Sequence, residues 1–277
     1  MGKLLKYELK GMYKFIILVL LTIVGSSAIM QGTFYYMSQN PSEFNGDVKI
    51  LIPFLFGISI LVIIAAYLVS FFYIVNCYNK ELVDDRGYLT FSLPLKARQI
   101  LGAKLWASFI AFFLIFLITG LFNFVLGMIL VNKAGINIYQ EFLKLDIPAG
   151  LGKYLLIFSV YSLISSILNL IMIFFVMTLR KVLFGGRKFN FIWFIFYVVL
   201  NGFFSYFSFK AIEICPYFVN VDEIGRFAIQ NADVFNGIYN NVGFPPILNI
   251  GVFIFSIICG IVLFIITSLL LDKKVEI

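Results

Sequence analysis

The chain has 277 residues, of which 62% are hydrophobic and 13% charged, and its mean hydropathy is +1.01. Soluble domains are roughly 45–50% apolar and about 25% charged, and no soluble chain of this length has interior enough to hide such a surplus of apolar surface. A soluble enzyme, a secreted domain and a disordered protein are excluded; the surplus must face lipid.

The 34 Phe and 15 Tyr suit a bilayer and its interfaces. Histidine is absent, which removes the commonest general base and metal ligand. Cys77, Cys215 and Cys259 are far apart and lack metal-ligand spacing; they read as small buried hydrophobes.

In chain order, residues 1–14 predict an amphipathic helix. At 100° per residue Lys3, Lys6, Lys10 and Lys14 fall within an arc of about 80°, with Leu5, Leu9 and Met12 opposite. Such a helix can lie in the membrane interface with its lysines toward anionic headgroups. Six stretches then meet the requirement of about 20 mostly apolar residues for a bilayer crossing: 15–37, 50–77, 105–131, 154–179, 189–209 and 247–271. The first resembles a signal peptide only superficially, since its apolar run is long and five more spans follow. The expected fold is therefore all-α, a polytopic membrane protein with six transmembrane helices in a single domain covering 1–277.

The basic residues set orientation. Lys3, Lys6, Lys10 and Lys14, then Lys80, Arg86, Lys96, Arg98 and Lys104, then Arg180, Lys181, Arg187 and Lys188, then Lys273 and Lys274 all fall on one side. The opposite side has only Lys49, Lys133, Lys144, Lys153, Lys210 and Arg226. The positive-inside rule places both termini in the cytoplasm. It also accounts for the net charge of +7 without nucleic acid as a partner.

None of the six spans contains Asp, Glu, Lys or Arg. A charge at the bilayer centre costs about 2.5–3.5 kcal/mol on insertion scales, and proteins that keep one generally use it. Its absence argues against an ion-driven carrier and an intramembrane enzyme, and there is no paired carboxylate or HExxH. The glycine-rich Gly185-Gly-Arg-Lys188 lacks the P-loop spacing, so it reads as a short basic turn rather than a nucleotide site. Energy for any uphill transport must come from a partner, and no cofactor is expected to bind this chain directly.

The segment 78–104 is the most informative. It is mixed in charge, with Glu81, Asp84, Asp85 and Arg86; Gly87 can end a helix; Tyr88, Leu89, Phe91 and Leu93 alternate apolar and polar before Pro94; and Lys96 begins a helix that enters the third span. This combination reads as an exposed docking surface. Small polar residues mark candidate substrate-path positions in the second span (Ser59, Tyr67, Ser70) and the fifth (Asn201, Ser205, Ser208), with a further stripe of Ser159, Ser162, Ser166 and Asn169 in the fourth; such residues also serve helix packing. Ser256 and Gly260 form a small-xxx-small packing pair. In the long outer segment 210–246, Val221, Ile224, Phe227 and Ala228 recur at helical spacing, predicting either an interfacial or re-entrant helix or a loop resting on lipid headgroups.

Arg86-Gly-Tyr-Leu-Thr-Phe-Ser-Leu-Pro-Leu-Lys, followed by Gln99-Ile-Leu-Gly-Ala-Lys104, resembles a stretch of the type-2 ABC transporter permeases, the membrane subunits of bacterial ATP-binding-cassette exporters. The basic Lys-Tyr-Glu-Leu-Lys at 6–10 and the six-span plan are also similar to that family; Arg86 departs from it, standing where the family often has an acid. The resemblance implies that Glu81, Asp84, Asp85, Arg86, Gly87, Tyr88 and Leu89 belong to a coupling helix that docks on an ATPase subunit, and that residues 1–14 form a connecting helix. It implies two ATPase copies, which bind ATP and Mg, and a second permease, identical or paralogous, in the bacterial plasma membrane. It places the substrate path along spans two and five. A non-transporting immunity or sensor protein that binds a peptide at the outer face is the alternative.

Overall fold

The computed structural model describes residues 2–39, 48–83, 96–134, 151–184, 192–221, 227–231 and 248–274. Six helices dominate it: α1 (Gly2–Gln39), α2 (Val48–Val83), α3 (Ala97–Lys133), α4 (Leu151–Phe184), α5 (Ile192–Ile214) and α6 (Ile250–Lys274). All six are long and apolar enough to cross a membrane, and each contains most of one expected span. Large side chains such as Leu61, Phe116, Leu156 and Phe203 are exposed along the helices, where lipid rather than water is the favourable neighbour. The chain is a multi-pass membrane protein.

The chain divides into two compact units, Met1–Cys77 with Trp106–Asp146, and Tyr78–Leu105 with Ile147–Ile277. In the first, α1 packs on α2 and α3. Phe15 stacks on Tyr73 with ring centroids 3.6 Å apart. Val19 and Ile23 of α1 meet Ala66 of α2 and Ile115 of α3. Residues 2–14 do not form a separate element. They open a continuous 38-residue helix, about 57 Å long at 1.5 Å per residue, because no proline interrupts it and Gly11 alone does not break it. The lysine face is exposed as expected, but Leu5, Leu9 and Met12 pack against Ile74, Tyr73, Ala107 and Ala111 rather than lying free for a membrane surface.

The second unit is built on α4, whose C-terminal half is buried among its neighbours. Leu168 and Met172 pack on Leu263 of α6, with Tyr197, Leu200 and Phe204 of α5 against the same cluster. A Cβ placed on Gly260 would lie 3.4 Å from Leu168, and Ser256 turns its hydroxyl onto the Val252 carbonyl at 2.7 Å. Gly260 thus lies against α4, while the Ser256 hydroxyl is satisfied within its own helix.

The segment 210–246 departs from expectation. Lys210 lies inside α5, paired with Glu213 at 2.6 Å. Then β1 (Tyr217–Val221) pairs antiparallel with β2 (Phe227–Asn231) and with β3 (Leu248–Asn249), in the order β2-β1-β3. Val221, Phe227 and Ala228 are therefore strand residues rather than one face of a helix, with Val221 opposite Phe227 in register. Ile224 lies outside the described residues. The reason is local: Pro216 has no N–H to continue α5 and disfavours helix at Cys215, so the last turn closes with Cys215 N donating to Ala211 O at 2.9 Å. Residues 217–221 are then rich in aromatic and β-branched side chains, which favour a pleated ribbon.

Candidate functional site

The proposed docking segment has its core, Asp84, Asp85, Arg86, Gly87, Tyr88 and Leu89, outside the described residues; Glu81 lies on the last turns of α2. Its flanks are described, and they are largely buried. Tyr78 and Leu82 of α2, then Ala97, Ile100, Leu101, Ala103, Lys104 and Leu105 of α3, are all buried. The helix expected to start at Lys96 starts at Ala97, with the Lys96 carbonyl accepting from Gln99 N at 2.8 Å.

These flanks are fastened to α4 and α6 by polar contacts. Arg180, expected as a loop charge, sits inside α4 and is only 1% exposed. Its Nη2 donates to Asn79 Oδ1 at 2.6 Å. The adjacent Tyr78 shares a 2.7 Å hydrogen bond with the Thr178 hydroxyl and stacks on Phe174, with centroids 4.2 Å apart. At the start of α3, Ala97 N donates to Asp272 Oδ1 of α6 at 3.3 Å, a carboxylate at a helix N-terminus where the free amides and the dipole favour it. Buried Arg and Lys are rare unless paired.

The candidate path residues fall into separate groups. Ser59 and Ser70 are buried in the first unit; their hydroxyls donate to Leu55 O and Ala66 O, each at 2.7 Å, and Tyr67 packs beside Val19 and Ile23. In the second unit, Asn201 Nδ2 donates to Tyr197 O at 3.0 Å, Ser208 Oγ to Phe204 O at 2.8 Å, and Ser205 is exposed. On α4, Ser159, Ser162, Ser166 and Asn169 form the anticipated stripe, exposed and bonded to carbonyls of their own helix. Asn169 Oδ1 also accepts from Tyr197 Oη at 3.2 Å, joining that stripe to the polar face of α5.

An unexpected network joins α1 to α3 inside the first unit. Gln31 Nε2 donates to Asn123 Oδ1 at 2.7 Å and to Asn123 O at 3.1 Å. Asn123 Nδ2 donates to Ser27 Oγ at 3.2 Å and Thr119 O at 2.9 Å. Amides in apolar spans are the signal that could have found it: uncharged, they pass a search for intramembrane charge, yet they need partners in lipid.

Among the described residues no three His, Cys, Asp or Glu side chains are grouped to hold a metal ion. The chemistry these residues offer is packing, hydrogen bonding and a buried guanidinium. Comparison with protein-family models, curated proteins and solved structures finds no match for this chain.

Proposed function

We propose that the chain is the membrane-spanning permease subunit of an ATP-driven exporter, working with a separate ATPase and a second permease subunit in a bacterial plasma membrane. The observation that carries the reading is the segment from Arg86 to Lys104, with its similarity to the ATPase-coupling stretch of type-2 ABC permeases. The six apolar helices and the concentration of lysine and arginine on one side are compatible with it, the latter favouring a cytoplasmic position for both termini and the coupling segment. The polar face made by exposed Ser159, Ser162, Ser166 and Asn169 with half-buried Tyr197, continuing to half-buried Asn201 and exposed Ser205, supplies groups that a substrate path or a protein interface would use in place of lipid.

Purification from native membranes in a mild detergent, followed by mass spectrometry of the associated proteins, tests the reading. A stoichiometric P-loop ATPase is the expected companion, and a second permease in the same fraction would make the pair heteromeric. A protein that remains without an ATPase, even after crosslinking in the membrane, overturns the proposal and favours an immunity or sensor protein that binds a peptide at the outer face.

A further inference from the structure

We propose that Arg180 is a positioning residue: it fastens the end of α2 to α4, and with Asp272 it fixes both helix ends that flank residues 84–95 onto the α4–α6 pair. The functional meaning of this rests on the permease reading, in which those helix ends deliver the ATPase stroke to the spans.

Two consecutive α2 residues grip the C-terminal turns of α4. Asn79 accepts from Arg180, and Tyr78 bonds Thr178 while stacking on Phe174; Thr178 is itself held by the Phe174 carbonyl at 2.9 Å. At the other flank, Asp272 takes the first free amide of α3, and Ile100 to Leu105 are buried on every side of the helix. The flanks of a passive surface loop would be solvated throughout; here Tyr78, Leu82 and Ile100 to Leu105 are buried. A buried guanidinium is a poor choice for stability alone, since apolar side chains of similar volume often replace buried ion pairs without loss. Its directional, planar donors instead define one register between two helices. The chain passes from one compact unit to the other between Cys77 and Tyr78 and again between Leu105 and Trp106. The fastened ends are therefore the covalent continuation of the spans in the first unit, and a displacement applied to them reaches α4 and α6 through these contacts.

Hydrogen–deuterium exchange on the full chain in lipid nanodiscs tests this, comparing wild type with Arg180→Met, Arg180→Lys and Asn79→Ala. Arg180→Met largely preserves the apolar stem and removes the donors. It should raise amide exchange at least tenfold at 78–83 while leaving 97–101, which Asp272 holds, and 12–31 and 111–123 unchanged. Arg180→Lys, which keeps a charged donor but loses the planar fork, should restore only part of the protection. Asn79→Ala, which leaves α4 intact, carries the same expectation as Arg180→Met should that variant fail to fold. Wild-type exchange at 78–83 in Arg180→Met or Asn79→Ala, or a uniform rise through all helices, overturns the proposal, because a space-filling role predicts the first and general destabilisation the second. The exchange result decides the fastening independently of any companion; absence of an ATPase from the wild-type preparation overturns the permease reading alone.

Discussion

Replacing Gly251 by Ala isolates one close helix approach whose cost follows from the geometry. Gly251 lies in the first turn of α6, and a Cβ added there would sit 2.8 Å from both the Ala211 carbonyl oxygen and Cys215 Cβ of the α5 end, and 3.1 Å from Asn249 Oδ1. Ordinary contact begins at 3.4 Å, so the two helix ends must separate by several tenths of an ångström. The carbonyl oxygen belongs to the backbone and cannot rotate away. Overpacking of this kind costs about 1–3 kcal/mol, against a gain of at most about 1 kcal/mol from replacing a helical glycine, and less in a first turn. The net expectation is a loss of about 1–2 kcal/mol, a fall in thermal midpoint on the order of 2–8 °C, read by tryptophan fluorescence or a thiol-reactive dye in detergent. Gly260→Ala is the internal comparison. Its Cβ would meet only rotatable side-chain ends, the nearest being Leu168 Cδ1 at 3.4 Å, so it should match wild type or exceed it slightly. Gly57→Ala meets nothing within 4 Å and should be the most stable of the three. If Gly251→Ala is as stable as Gly260→Ala, the close approach of α5 and α6 is not a constraint on the fold and the reasoning is wrong.

Three other substitutions probe different links. Asn249 caps α6, with Oδ1 accepting from Val252 N at 2.9 Å while Nδ2 donates to Cys215 O at 2.9 Å. Asn249→Ala should cost about 2–3 kcal/mol, a cap and a buried hydrogen bond together, and Asn249→Asp should recover the cap alone; equal losses in thermal unfolding would deny the cap its share. A double-mutant cycle of Gln31→Ala and Asn123→Ala should give a coupling of about 0.6–1.7 kcal/mol, the range for hydrogen bonds between membrane helices, and additive losses would show that the amides are independent. Phe at Ser205 or Asn201 should change the rate or range of export in an efflux assay while the purified protein keeps its melting temperature; unchanged export would return this face of α5 to a packing role.

The spans were legible because each is a long apolar run, a property of consecutive residues that needs no knowledge of neighbours. The start of α3 was legible for a similar reason: Pro94 and the polar residues after it mark a boundary within a few positions. Arg180 was misplaced because hydropathy ends the fourth span at residue 179 and counts the next charge as a loop residue. Its burial depends on Asn79, 101 residues away, which no local pattern encodes. Gln31 and Asn123, 92 residues apart, were passed over on the same ground. The strands beyond Pro216 failed in the other direction: four apolar residues at helical spacing fit a helix and a hairpin equally well, and only the pairing of Val221 with Phe227 separates the two. Asp84 to Leu89 lie outside the described residues, so their proposed contact stands on the residue pattern and the family resemblance.

The hydroxyls of the spans divide the polar groups by when each can first be satisfied during biogenesis. Ser59, Ser70, Ser159, Ser162, Ser166, Ser208, Ser256 and Thr267 bond carbonyls of their own helices. Each of these hydroxyls can therefore enter lipid bonded before any neighbouring helix exists. Gln31 obtains its Asn123 partner only from α3, and Arg180 obtains Asn79 only once α2 and α4 are both made. The first helix must thus wait in the membrane for the third before this amide pair can form. The fourth completes its register with a segment synthesised 101 residues earlier. Assembly then has a built-in order: each self-sufficient hydroxyl is satisfied as its own helix inserts, and these two long-range pairs close only when the later helix arrives, sorting correct neighbours from incorrect ones.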